Sequence, residues 1–132
     1  MQRAFHRIVE AIWAPVRARR RGLELLKSNL NARQLDQFNR EKLFEVYGGA
    51  TGRRYRLRRG WSMNIDEIGR GGSVVKTWCF YPKGRLCVGD VLLAQKVALE
   101  TFELEALGVG NFQRPNMDAG NEFERPSGSA RS

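Results

Sequence analysis

At Leu43 the hydrophobic period of this chain changes, and that change limits its fold more than any other feature. Upstream, apolar residues recur every three to four positions. From LFEVY to SVVKTWCFYP they alternate or cluster with β-branched and aromatic neighbours, and from residue 90 the longer period returns. A period near 3.6 builds a helix with one apolar stripe, whereas a period of two builds a strand with one apolar face. Helices, strands and a helix that follow one another in blocks predict an α+β domain: N-terminal helices, a four-stranded antiparallel β-meander, and a long C-terminal helix packed on one sheet face.

Within that frame, AFHRIVEAIWAPV places Phe5, Ile8, Val9, Ile12, Trp13 and Val16 on one stripe. Pro15 should end or bend the helix, and RARRRG follows as a basic run that Gly22 closes. Leu23, Leu25, Leu26 and Leu30 then supply a short second helix or a continuation after a break. Asn31 with Gln34 three residues on is an Asn form of the capping box, which predicts a helix over Ala32 to Glu41. GGATG and GRGG read as turns within two hairpins, and Pro82 and Gly84 stop the sheet. Asp90 is placed to cap DVLLAQKVALETFELEAL, which Gly108 ends. QRPNMDAGNEFERPSGSARS lacks any period and reads as a disordered tail. The expected organisation is therefore 1–22, a basic helix and arginine run; 23–111, the α+β domain; and 112–132, the tail.

Length and chemistry narrow the function. At 132 residues there is room for one core. Cys79 and Cys87 are the only cysteines and His6 the only histidine, too few for a four-ligand zinc site, so neither a metal nor another cofactor is expected. A single imidazole far from any serine or cysteine partner argues against a nucleophilic triad, and GRGG lacks the Lys and Ser/Thr of a phosphate-gripping P-loop. Glu100, Glu103 and Glu105 are expected in solvent or beside arginines rather than as an acid and base, so no enzyme is predicted. No stretch resembles a secretory signal or approaches the roughly 18 consecutive apolar residues of a spanning helix, which leads us to expect a cytoplasmic protein with reduced thiols.

The balance of sign is the positive lead. Twenty-three Lys and Arg against fourteen Asp and Glu give a net charge of +9, enough to draw polyanions or anionic lipid. Eleven arginines lie in two segments, six in 1–22 and five in TGRRYRLRRG. On a strand, Tyr55 and Leu57 share one face while Arg54, Arg56 and Arg58 share the other. Two readings follow. If Glu45 and Asp66 or Glu67 pair with the row, it is a solvated salt-bridged face. If the row is free, Arg53, Arg54, Arg56, Arg58 and Arg59 grip nucleic-acid backbone, with Trp61 as a stacking surface. The rival element is the first helix. Its Phe5, Ile8, Ile12 and Trp13, with Arg17, Arg19, Arg20 and Arg21, suit a protein partner, an anionic membrane surface or a second copy of the chain through residues 3–21.

The run GRRYRLRRG, followed by MNI, WCFYPKG and GDVLLAQKVALE, resembles a pattern in short uncharacterised bacterial proteins, over Arg33 to Asn111. The resemblance implies that the hairpins and the last helix form one unit with the basic helix attached. It implies no activity and no site residues.

Overall fold

The computed structural model describes residues 2–115 apart from positions 61, 81, 83 and 85, and excludes the side chains of Gln2 and Phe5. Its class is the expected α+β. Five strands form one antiparallel meander in the order β1 (Leu43–Tyr47), β2 (Arg54–Arg58), β3 (Ile65–Ile68), β4 (Val74–Cys79) and β5 (Asn111–Gln113). The sheet has one strand more than expected because Asn111–Gln113 pairs along β4, setting Phe112 opposite Trp78. Those residues thus straddle the expected start of the tail, and 116–132 lie outside the described residues.

Alternation decides which face is buried. Phe44 and Val46 on β1, Tyr55 and Leu57 on β2, Ile65 on β3 and Trp78 on β4 lie in register on one face. Leu26, Phe38, Leu92 and Leu99 join them in a single core. Burying each such side chain stabilises the fold by about 1.5–3 kcal/mol.

The helices over that face depart from expectation in three places. First, α1 (Gln2–Ser28) runs straight through Pro15. An interior proline costs about 3 kcal/mol, but strong helix formers flank it and Leu26, further along, is fully buried in the core. Secondly, Gly22 does not close the helix. It is where α1 meets α3 (Val88–Thr101): a Cβ on Gly89 would lie 2.3 Å from the carbonyl carbon and oxygen of Gly22. Glycine is required at 89 by this close approach of two backbones, whereas a Cβ on Gly22 would lie 3.4 Å from the Asp90 carboxylate and Cys87 Cβ, an ordinary contact. Thirdly, the last helix begins two residues before Asp90, with Cys87 at its N-cap and Asp90 in the first turn. It also breaks at Phe102 (φ −133°, ψ 43°) before α4 (Glu103–Val109), which runs through Gly108 and is capped at Gly110.

The capping box of α2 (Ala32–Glu41) forms as read: Gln34 N–H donates to Asn31 Oδ1 at 2.8 Å and Asn31 N–H to Gln34 Oε1 at 3.1 Å. The same helix shields the sheet edge. Gln34 Nε2 donates to the Glu45 carbonyl at 3.0 Å, and Glu45 N–H donates to Gln37 Oε1 at 3.1 Å, so backbone groups of β1 that would otherwise be open to another chain are satisfied.

Candidate binding surfaces

Strand alternation turns the β2 arginines away from the core as expected. Tyr55 and Leu57 are fully buried, while Arg54, Arg56 and Arg58 share the face without helices. The register then supplies carboxylates to all three. Glu45 stands directly opposite Arg56 on β1, and Asp66 opposite it on β3. Arg54 Nε and Arg56 Nη2 each lie 3.5 Å from Glu45, one at either oxygen. Arg58 is held more tightly: its Nε and Nη2 fork onto Asp66 at 2.8 and 3.2 Å, and Nη2 also donates to the Met63 carbonyl at 2.6 Å. Asp66 accepts in addition from Thr77 Oγ1 at 3.0 Å. Three guanidinium groups thus share two carboxylates. Of the other residues in the nucleic-acid reading, Arg53 lies 3.9 Å from Glu67, Arg59 is partly exposed, and Trp61 lies outside the described residues.

The β1–β2 loop shows a cluster that sequence reasoning placed in solvent. Glu103 is 1% exposed and its carboxylate collects hydrogen bonds from Ala50 N–H (3.1 Å), Thr51 N–H (2.8 Å), the Thr51 hydroxyl and the Tyr55 hydroxyl (2.6 Å). Burial alone would raise its pKa. The donations from the Thr51 and Tyr55 hydroxyls and the two backbone N–H groups outweigh it and hold the carboxyl below its ordinary value. Burial, then the hydrogen bond to Glu103 and the negative charge of Glu103 and Glu67, push the Tyr55 hydroxyl well up. Gly48 and Gly49 let the loop come this close: a Cβ on Gly48 would lie 2.2 Å from the Glu103 carboxylate, and one on Gly49 2.0 Å from the Glu100 carbonyl. A signal was available. Leu92, Gln95, Leu99, Glu103 and Ala106 recur every three to four residues, so Glu103 falls on the inward stripe. Its oxygens serve the loop, and Glu100 pairs with Lys96 at 2.7 Å.

The first helix behaves differently. Leu23 and Leu26 seat its C-terminal half against the domain; further back Pro15 and Arg19 border a cavity with Leu86, Cys87 and Val88, and most described side chains before Arg21 are exposed. Ile8, Ile12, Trp13 and Val16 are 59%, 60%, 53% and 49% exposed. Their spacing of three to four residues makes one exposed apolar stripe, which the arginine run, with Arg19 at the intervening stripe position, separates from the buried Leu23 and Leu26. Arg3, Arg7, Arg19, Arg20 and Arg21 are exposed, and Arg17 pairs with Glu10 on the same helix. The seated half of α1 lies on the helical side of the sheet and the β2 arginines on the other.

Among the described residues, no group of three or more His, Cys, Asp or Glu is placed to hold a metal ion, and no helix is long and apolar enough to cross a membrane. Compared with protein-family models, curated proteins and solved structures, the chain has no match. Function is therefore read from the geometry of these surfaces.

Proposed function

We propose that this chain is a non-catalytic binding module that lays the free half of α1 on an anionic membrane surface. The observation that carries this reading is the exposed run Ile8, Ile12, Trp13 and Val16, followed along the same helix by the exposed Arg19, Arg20 and Arg21. An apolar stripe of this size at the surface of a folded domain marks a contact site. Charge selects among occupants. Residues 3–21 hold six arginines and one glutamate, a net of 6 − 1 = +5. A second copy would set two such segments side by side, and like charges at close range oppose that pairing. A nucleic acid would answer the charge, and a base could stack on Trp13, but it offers no apolar acceptor for Ile8 and Ile12. An anionic bilayer interface answers both, with each arginine near it contributing about 1 kcal/mol and Trp13 suited to the headgroup boundary.

The β2 row was the other candidate for an anionic partner. Its pairing with Glu45 and Asp66 supports the salt-bridged reading instead, each partly exposed pair contributing about 0–1 kcal/mol.

The test is co-sedimentation with phosphatidylcholine vesicles with and without phosphatidylserine. Binding that needs the anionic lipid, weakens with salt and is lost in I8S/I12S is the expected result. Failure to bind at low ionic strength overturns the proposal, and a dimer that I8S/I12S dissociates would assign the face to a second copy.

A further inference from the structure

The β1–β2 loop and the turn between β3 and β4 meet at one end of the sheet and enclose an open cleft of about 950 Å³. Arg53, Arg54 and Arg70 line it against a single carboxylate, Glu67. That carboxylate is 8% exposed and accepts from Trp78 Nε1 at 3.3 Å, so it is drawn into the sheet rather than into the opening. The guanidinium groups are weakly committed. Arg53 stands 3.9 Å from Glu67, with half of its side chain exposed. Arg54 reaches Glu45 only through Nε at 3.5 Å, and the Glu45 oxygen it faces makes no hydrogen bond. Arg54 Nη2 is instead directed toward the turn, 3.9 Å from where a Cβ on Gly72 would stand. Arg70 is exposed and, among the described residues, has no carboxylate within ion-pair distance. This contrasts with Arg58, whose fork is already filled by Asp66.

The backbone leaves the cleft floor bare. Gly71 and Gly72 adopt φ of 83° and 84°, a conformation that only glycine takes without strain, and a Cβ on Gly71 would touch nothing. A ligand can thus approach the main chain between the arginines. Three planar forks suit the terminal oxygens of a phosphate dianion better than the two oxygens of a carboxylate. The ring of Tyr47, 53% exposed, lines the same cleft and offers a flat surface to a base.

We propose that this cleft binds a phosphate monoester through Arg53, Arg54 and Arg70. This site is separate from the exposed face of α1 and does not depend on it. The experiment is a ¹H–¹⁵N NMR titration of the full chain at constant ionic strength with inorganic phosphate and with adenosine monophosphate, using sodium chloride as reference. Saturable shifts confined to residues 51–54 and 69–72 are expected. The double variant R53Q/R70Q, whose side chains are exposed and whose melting temperature should not move, should bind about tenfold or more weakly. Vesicles of phosphatidic acid compared with phosphatidylserine at equal surface charge separate the sources. A phosphatidic acid preference that R53Q/R70Q removes and I8S/I12S keeps points to a lipid headgroup, and stronger binding of the mononucleotide than of phosphate, without that preference, points to a soluble nucleotide. Shifts no larger than those with chloride, or equal binding by R53Q/R70Q and wild type, overturn the site. Loss of vesicle binding in I8S/I12S with phosphate shifts intact would leave both proposals standing as independent.

Discussion

The two arginine-rich segments of this protein have similar composition and opposite fates. In β2, Arg54, Arg56 and Arg58 sit between two strands whose register brings Glu45 and Asp66 to them. In the half of α1 before Gly22, Arg19, Arg20 and Arg21 are exposed, and the only acid from 3 to 21, Glu10, is taken by Arg17. A strand inside a sheet has neighbours on both sides within about 5 Å, whereas the exposed face of a helix has only its own next turn. Density of charge along the chain therefore says less about partners than the number of elements packed beside it.

That contrast can be broken or sharpened by substitution. The largest effect is expected where α1 is anchored. Gly89→Ala forces a Cβ to 2.3 Å from the Gly22 backbone, so the α1–α3 crossing must open. A loss of about 3 kcal/mol or more in urea unfolding is expected, and an unchanged midpoint would mean that α1 is not held there.

Next in size is Glu103, the carboxylate that a loop rather than an arginine neutralises. Glu103→Ala should cost about 2–4 kcal/mol at neutral pH by leaving Ala50 N–H, Thr51 N–H and Tyr55 unpartnered. Its folded-state pKa lies below the unfolded one, so its contribution is complete above the unfolded value of about 4.3 and disappears as pH falls through the folded value. Wild-type stability should fall across that acidic window, and the Glu103→Ala profile should be flatter. The Tyr55 hydroxyl has the opposite sign: with its pKa raised, its contribution is complete below about 10 and is lost as pH rises through the folded value.

A smaller change tests the comparison directly. E45Q/D66N should cost only about 1–2 kcal/mol, yet it frees three guanidinium groups and should make β2 resemble the basic half of α1. Affinity for a duplex oligonucleotide should rise, with a salt slope steeper by about 2–3. No gain would show that the row is geometrically unfit for phosphate even when free. Conversely, R56Q/R58Q should lower stability without removing any nucleic-acid binding shown by the wild type.

The smallest effect on stability is expected from the exposed half of α1 itself. R19Q/R20Q/R21Q and I8S/I12S should each change the unfolding free energy by less than about 0.5 kcal/mol, because these side chains make few contacts in the fold. Both should nonetheless weaken vesicle binding. A marked fall in stability would show that this half of α1 packs on something in the free protein.

Much of the fold was legible. The capping box at Asn31 and Gln34, the alternation of Tyr55 with Leu57, and the block order of helix and strand all describe neighbours within a few residues, and each holds. The misreadings share a different character. Gly22 reads as a helix stop because glycine usually is one, yet α1 runs on through it, and its backbone is what requires a glycine at Gly89, sixty-seven positions away. Glu103 reads as solvated although its spacing with Leu99 and Ala106 put it on the inward stripe, because its donors come from a loop some fifty residues upstream. For β2, both readings were available from the residues alone, and the strand register is what brings Glu45 and Asp66 beside the arginines.

What the sequence determined by itself was period: which residues face together along each helix and strand, since that follows from the covalent geometry of a few consecutive peptides. What only the tertiary structure decided was partnership: which arginines meet a carboxylate, which glycine meets a backbone, and which apolar face is left bare. Ion pairs and close contacts act over a few ångströms in space, and separation along the chain does not encode that distance until the elements are packed.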